Sequence, residues 1–354
     1  MKKHNFSAGP AILPQEVLQQ AADAVRELEG IGLSLIEISH RSKEFIAIMQ
    51  EAQGLVLELL GIENKGYEVL FLQGGASNQF LMVAQNLLEK KAGYLNTGTW
   101  SSNAIKEAKL YGTVYELASS KEANFNYIPK NYSIAEDLDY VHLTTNNTIF
   151  GTQLKTLPDT DIPLVADMSS DIFSHPFPYE KLALFYAGAQ KNMGPAGTTL
   201  VVVKKDLLGK VSRTIPSMLN YQVHIDKESM FNTPPVFAIY TSLLNLRWIK
   251  AQGGLDQIGK LNHEKAALIY DEIDRNSCFS GFAAKEDRSI MNVTFNLNDP
   301  SKAAAFDALW AEKGISGLKG HRSVGGYRAS IYNAMPIESI KVLVACMQTF
   351  EKQQ

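Results

Sequence analysis

Apolar positions recur along this chain in two textures. Stretches with a three-to-four-residue period read as helices, and short unbroken apolar runs read as strands. Residues 1–15 show neither, carry "SAGP", and read as an extended arm. Pro14 then opens a helix in the first-turn position, where its missing N–H is harmless, running to about Leu28. A second helix is expected from about Ser42 to Leu60, with Gly61 as its stop. "YEVLFLQGGASNQF" reads as strand, glycine turn and helix start, the helix reaching about Glu89. "AGYLNT" is a strand and "WSSNAIKEAKLYG" a helix. "TVYEL", "YVHLTT", "IPLVAD", "LALFYAG" and "TTLVVVK" are strands, followed by helices near 235–252 and 256–275. The strand runs are continuously apolar, as in a sheet buried on both faces. The pattern is α/β with a mostly parallel sheet.

After about residue 276 the texture shifts. "SIMNVTFNL", a helix near 301–313, the glycine-rich "GISGLKGHRSVGGYRASIYN" and a last helix near 336–352 read as a smaller α+β domain. A chain of 354 residues suits two domains, since single cores stop growing near roughly 250–300 residues. The balance of 45% hydrophobic and 20% charged residues is that of a soluble globular protein. A net charge of −3 advertises neither nucleic acid nor an acidic tail. Two cysteines, Cys278 and Cys346, make no disulfide framework and point to a reduced, cytoplasmic setting. No run is long enough for a membrane span, no signal peptide is visible, and the seven histidines form no HExxH metal pair.

Against that background one stretch stands out. "LALFYAGAQKNMGPAGTTLVVV", Leu182–Val203, holds a single formal charge in 22 residues, Lys191. An amine among apolar and small residues is pushed toward its neutral, nucleophilic form. Lys191 is then a Schiff-base lysine, or else a turn lysine pointing to water. Asp167 ends the strand "LVAD" 24 residues earlier (191 − 167 = 24) and can face the same site. Such an acid keeps the ring nitrogen of pyridoxal phosphate protonated, although a turn or cap aspartate reads the same way. Gly74, Gly75, Ala76 and Ser77 sit where backbone N–H groups at a helix start bind phosphate, or where an ordinary Gly-Gly turn would fall. Trp100 in "NTGTW" is a ring to stack on a flat ligand or a core tryptophan. Thr148 in "NNTIFGT" is a hydroxyl for a phenolate oxygen or a loop threonine. His40 and Arg41 in "SHRS", and His321, Arg322 and Arg328 in "GHRSVGGYRAS", are an anion clamp or solvated basic loops.

Together these residues resemble the phosphoserine aminotransferase family, within the aspartate-aminotransferase-like fold of pyridoxal phosphate enzymes. The likeness runs through "NFSAGPAILP", "ISHRSKEF", "FLQGGASNQF", "NTGTWS", "NNTIFGTQ", "VADMSSDIFS", "YAGAQKNMGPAG", "FNTPPVFAIY" and "GLKGHRSVGGYRASIYNA". It implies a large domain over 16–255 with a mostly parallel, seven-stranded-type sheet flanked by helices. A small C-terminal α+β domain over 256–354 follows, joined by the arm at 1–15. It implies that Lys191 holds pyridoxal 5′-phosphate covalently, with Gln190 at the phosphate, Asp167 at the ring nitrogen, Trp100 stacked and Thr148 at the hydroxyl oxygen. Ala76 and Ser77 would supply amides to the phosphate. Asn232 and Thr233 would reach the cofactor of a neighbouring subunit, so a homodimer with shared active sites is implied. His40, Arg41, His321 and Arg322 would grip the distal anion, the last two across the interface, and Arg328 the α-carboxylate. The implied reaction passes the amino group of L-glutamate to 3-phosphohydroxypyruvate, with a phospho-oxoacid of the pyridoxine route as a second substrate. Some relatives carry Arg where this chain has Ser77, a difference that either weakens phosphate binding or shifts the load to His40, Arg41 and Arg322. A glyoxylate-using aminotransferase of the same fold would not need the distal cations. A non-catalytic cofactor-binding regulator would not need the full set, and a bare phosphate-binding scaffold has no reason to isolate Lys191.

Overall fold

The computed structural model describes residues 3–353. The chain opens with a two-residue strand, β1 (His4–Asn5), and enters helix α1 (Gln15–Arg26). Pro14 is the residue before α1 rather than its first turn: its ψ is 140° and its carbonyl accepts from Leu18 N–H. The helix stops at Arg26, short of Leu28, because Glu27 is extended and Leu28 N–H turns to bond Leu33 O. Helix α2 (Lys43–Leu60) starts at Ser42, whose hydroxyl accepts from Phe45 N–H, and ends on Gly61 in the left-handed region.

The alternation expected from the apolar runs follows: β2 (Tyr67–Leu72), α3 (Gly75–Leu87), β3 (Lys91–Asn96), α4 (Thr99–Ala108), β4 (Thr113–Ser119) and β5 (Tyr140–Thr144). A small ribbon, β6 (Asn146–Asn147) with β7 (Thr152–Gln153), precedes β8 (Leu164–Asp167), β9 (Leu182–Gly188) and β10 (Thr199–Lys204). Seven strands form one sheet in the order β2-β10-β9-β8-β5-β3-β4. Only β10 runs against its neighbours. Alternate residues enter different cores. Phe71, Val141, Phe185 and Val202 face α1 and α2, whereas Leu72, Tyr140, Leu184 and Val201 face α3 and α4. Helices on both faces explain why the strands read as unbroken apolar runs. Each fully buried Leu, Val or Phe contributes about 1.5–3 kcal/mol. Strand β4 departs from this pattern; it is the sheet edge, its residues stay partly exposed, and its sequence carries Glu116.

Helices α5 (Tyr221–Asp226) and α6 (Val236–Ala251) lead to the long α7 (Gly254–Arg275). The strands β11 (Phe279–Gly281) and β12 (Asn292–Leu297), helix α8 (Ala303–Glu312), strands β13 (Ile315–Ser316) and β14 (Tyr327–Ser330), and helix α9 (Ile337–Lys352) complete the chain. β12 begins later than "SIMNVTFNL" suggests, because the Ser289 hydroxyl takes the N–H groups of Met291 and Asn292 and turns the chain first. β11-β12-β14 is an antiparallel sheet. Phe279, Phe295, Phe306, Tyr327 and Phe350 interlock beneath it, and Phe6 of the arm joins this second core. β1 pairs with β13 in parallel. Helix α7 serves both cores, with Leu255 and Ile258 in the first and Ile269 and Ile273 in the second. We propose the division into an arm, a large domain to about residue 255 and a small domain beyond, with α7 as the shared strut.

Gly194, just past Lys191, lies against α6. A Cβ there would overlap Ser242 Oγ and sit 3.2 Å from Ser242 Cα. Gly194→Ala is expected to lower unfolding free energy by about 1–3 kcal/mol in urea titration. Ser242→Ala should recover part of that loss; an unchanged midpoint in Gly194→Ala would show that α6 yields freely.

Candidate active site

The exits of parallel strands are where side chains can gather without interrupting the sheet. Asp167 ends β8, Lys191 follows β9 by three residues, and Thr148 follows the Asn146–Asn147 strand. Together with Trp100 and Arg328 they line one cavity of about 330 Å³. Its wall also includes Ala8 and Gly9 of the arm, Gly75, Ala76, Ser77, Ser169, Gln190 and His321.

Lys191 Nζ donates to Thr148 Oγ1 at 2.8 Å and sits 5.4 Å from the centroid of the Trp100 ring. It makes no ion pair with any described carboxylate. Its side chain is half-buried, crowded by protein atoms on the wall of the cavity. Burial pulls the amine down to about 8, and the Arg328 cation adds to this, while Asp167 and Asp171 oppose it. Gly9 makes this crowding feasible: a Cβ there would lie 3.3 Å from Lys191 Cγ. The arm is fastened at the same place, since Ala11 N–H donates to Gln190 O at 2.9 Å.

Asp167 is buried, and its Oδ1 accepts from the N–H of Ser169 at 2.9 Å and its hydroxyl at 2.6 Å. Ser169 Oγ in turn accepts from Gly188 N–H, tying β8 to the residue that ends β9. The turn aspartate and the ring-facing acid, open alternatives from sequence, are thus one residue with both roles available. Behind it, Asp171 receives Thr145 Oγ1–H at 2.6 Å and Gln153 Nε2–H at 3.3 Å. Burial raises the Asp171 carboxyl to about 7, which these two hydrogen bonds resist.

Helix α3 begins at Gly75 after Gly74, whose φ of +97° is left-handed. No side chain caps it, so its first N–H groups are left for a ligand. Arg328 on β14 donates from Nη1 to Thr148 O at 3.2 Å, and its Nε is buried without a partner. Burial holds its guanidinium below the usual value. His321 shares a 2.6 Å hydrogen bond with Ser323 Oγ, and burial with the neighbouring Arg328 and Arg322 keeps its ring below the usual pKa. Trp100 Nε1 is buried and likewise unpaired.

Nine of the expected residues therefore line one cavity with Arg328: Gly75, Ala76, Ser77, Trp100, Thr148, Asp167, Gln190, Lys191 and His321. His321 lines the cavity that also holds Lys191 of its own chain. The reason is the hairpin between β13 and β14, where Gly320 N–H meets Gly326 O and folds the loop back toward Arg328. Arg322 is exposed on that loop and lines no part of the cavity. His40, Arg41, Asn232 and Thr233 also lie outside it. Asn232 Nδ2 donates to Gln73 Oε1 at 3.1 Å, and Gln73 Nε2 donates to Thr233 O at 3.1 Å, on the outer side of the glycine turn. Sequence reasoning missed Ser169 and Asp171; the Asp-x-Ser spacing in "ADMSSD" is the turn signal that could have found the first.

The arrangement offers anion-binding amides, an acid, an aromatic face and an amine of low basicity around one space. It suits a flat, anionic, carbonyl-bearing ligand.

Comparison with known proteins agrees with this chemistry. The model of the aminotransferase class-V family matches residues 3–343. A phosphoserine aminotransferase of Flavobacterium psychrophilum is 61% identical over 100% of both chains. The structure of phosphoserine aminotransferase from Bacillus circulans subsp. alkalophilus is 45% identical, covers 99% of each chain and superposes with a TM-score of 0.96. A PLP-bound phosphoserine aminotransferase from Trichomonas vaginalis is 37% identical, with a TM-score of 0.93 over 98% of this chain and 100% of its own.

An amine with a pKa near 8 is mostly charged below that pH and free above it. In cofactor-free protein, labelling of Lys191 by an amine-directed reagent, followed by peptide mapping, is expected to rise through a midpoint near pH 8. A midpoint near the ordinary lysine value of about 10.4 would show that the site does not desolvate it.

Proposed function

The chain belongs to the class-V aminotransferases, and on that premise we propose that it is a pyridoxal-phosphate-dependent phosphoserine aminotransferase. It passes the amino group of L-glutamate to 3-phosphohydroxypyruvate, giving 2-oxoglutarate and O-phospho-L-serine. The observation that carries this reading is Lys191: a lone amine, held near pKa 8, in a cavity that also presents Asp167, uncapped helix amides and Arg328.

The residues fit the cofactor. Amides at the start of α3 and the Gln190 side chain suit its phosphate, the Trp100 face its ring, Asp167 its nitrogen, and Thr148 Oγ1 its hydroxyl oxygen. When bound, pyridoxal phosphate supplies the electron sink that makes a substrate Cα–H acidic. The protein supplies the rest. Ser169 holds the Asp167 carboxylate toward the site through two hydrogen bonds, so it keeps one orientation. Arg328, with its unpaired Nε, takes the α-carboxylate of donor and acceptor alike. Lys191 Nζ removes the Cα proton of glutamate and returns a proton to the Cα of the product. Thr148 and the Trp100 face keep that amine aimed between steps. His321 stands where the distal phosphate or γ-carboxylate arrives, and an arriving anion favours its protonated form.

The enzyme is read as a homodimer with shared sites, in the cytoplasm. His40, Arg41, Asn232 and Thr233 have no place in the cavity of their own chain. Beside them the surface is apolar: Leu33, Ile36, Phe231 and Phe237 are all exposed. A partner covering these residues would bring the four polar groups to its own cavity. Both cysteines are free, which fits a reducing compartment. The pyridoxine-route phospho-oxoacid shares the same carboxylate and phosphate handles, so the same groups serve it.

Lys191→Ala is expected to reduce turnover by at least about 10³-fold and to abolish the visible band of the loaded protein and its bleaching by glutamate. A wild-type protein with no such band sinks the reading. Arg328→Ala should raise KM for glutamate by about 10- to 100-fold; equal KM values would move the carboxylate elsewhere. Mixed and re-equilibrated Lys191→Ala and Arg41→Ala chains should recover up to about a quarter of wild-type activity, since half the dimers then hold one intact site. No recovery in proven heterodimers would refute sharing.

A further inference from the structure

The three groups that define the site stand at separate points of the chain: Asp167 at the end of β8, Lys191 after β9, and Arg328 in β14 of the second core. Backbone adjoining each of them runs into one buried knot of amides. Asn192, next to Lys191, donates from Nδ2 to Ile172 O in the turn that follows Asp167. Its Oδ1 accepts the backbone N–H of Asn333, five residues past Arg328, at 3.0 Å. Asn333 Nδ2 donates to Phe173 O at 2.9 Å, and its Oδ1 accepts from Asn262 Nδ2 at 2.8 Å. Asn262 Nδ2 also reaches Ser174 O at 2.8 Å. Behind the knot, Lys265 on α7 is fully buried and points Nζ at the carbonyls of Ile331 (3.0 Å) and Tyr332 (2.8 Å).

Burying this many polar groups costs free energy that the hydrogen bonds only just return. Apolar packing would hold the segments together more cheaply. What amides add is direction, because each bond fixes one atom of one segment against one atom of another. The turn they hold needs fixing: Phe173 adopts a left-handed φ of +58° although it is bulky and buried. Amides also bring no net charge, so they leave the nearby Lys191 amine free of an ion pair.

We propose that Asn192 and Asn333 are positioning residues that set Arg328 relative to Lys191 and Asp167, with Asn262 and Lys265 bracing the segment that bears Asn333. This rests on the functional reading given above. The α-carboxylate held by Arg328 and the Cα proton taken by Lys191 belong to one substrate, so the separation of the two side chains sets the reaction geometry. The only covalent path between them passes through more than a hundred residues (328 − 191 = 137). Thr148 touches both side chains at their tips, whereas the Asn192–Asn333 bond joins the two backbone segments that carry them.

The test uses full-length, cofactor-loaded protein: wild type, Asn192→Ala, Asn333→Ala and the double variant. Phe279→Leu serves as a control that loosens the small core away from the knot. Each single variant is expected to lose about 10- to 100-fold in kcat/KM for glutamate, through both a higher KM and a lower kcat. The double variant should lose less than the two single losses combined, because both side chains tie the segment after Arg328 to the same turn, Asn192 through Asn333 N–H and Ile172 O, Asn333 through Phe173 O. The pH midpoint of the visible band, which reports the surroundings of Lys191 without turnover, should move in all three. Phe279→Leu should lower Tm yet keep wild-type kinetics and spectrum. Asparagine variants that lose only Tm, with wild-type kcat/KM and pH midpoint, overturn the proposal. So does strict additivity in kcat/KM. If Asn192→Ala does not fold, Asn262→Ala leaves the Asn192–Asn333 bond in place and is read by the same two criteria. An inactive, colourless wild type would instead refute the functional reading, and the two failures are therefore distinguishable.

Discussion

The structure depends on keeping one amine dry without giving it a counterion. An ion pair would hold Lys191 safely, but it would also hold it protonated. The protein instead gives Nζ a neutral hydroxyl, Thr148, and an aromatic face, Trp100. It leaves Asp167 near enough to be felt and engaged elsewhere, on Ser169. Most of the local sequence serves that condition. Gly9 and Gly194 let backbone and helix close over the lysine, and the continuously buried β9 brings it to the floor of the site.

A cavity that must exclude strong charge pairing needs another source of order. Here it comes from neutral amides and hydroxyls. Thr145, Gln153, Asn146 and Asn292 continue the same network around Asp171 and across to the second core. The ion pairs stand away from the cavity; Arg247–Glu51 and Lys250–Glu58, for example, lie on the surface, where each is worth little. The interior is thus directional and close to uncharged, which suits a site whose chemistry moves a proton.

The parts of this plan that were legible in the sequence are those that break a local expectation. Lys191 is legible because an isolated charge in a 22-residue apolar stretch is improbable, and six of the seven strands because burial on both faces leaves no alternation to confuse with a helix. Asp167 and the Gly74–Gly75 turn follow from their positions at strand ends. Asn192, Asn262 and Asn333 gave no signal: an asparagine reads the same in a turn as in a buried knot, and their bonds span 20 to 160 residues. Pro14 and Leu28 missed by a residue or two, where backbone turn hydrogen bonds decide the ends of the helix.

The arm has a consequence for how the protein comes into being. β1 pairs with β13, so His4 waits for Ile315, 311 positions later (315 − 4 = 311). Phe6 has no core to enter until those residues exist, and Gly9 has no fixed approach to Lys191 until Phe6 is docked. At the pace of translation, about 5–20 residues per second, that interval is on the order of 15–60 s. During it the large sheet can form while the lysine stays open to solvent on the arm's side. The ribosome therefore delivers a folded but unfinished enzyme, and closing its site is among the last acts of synthesis.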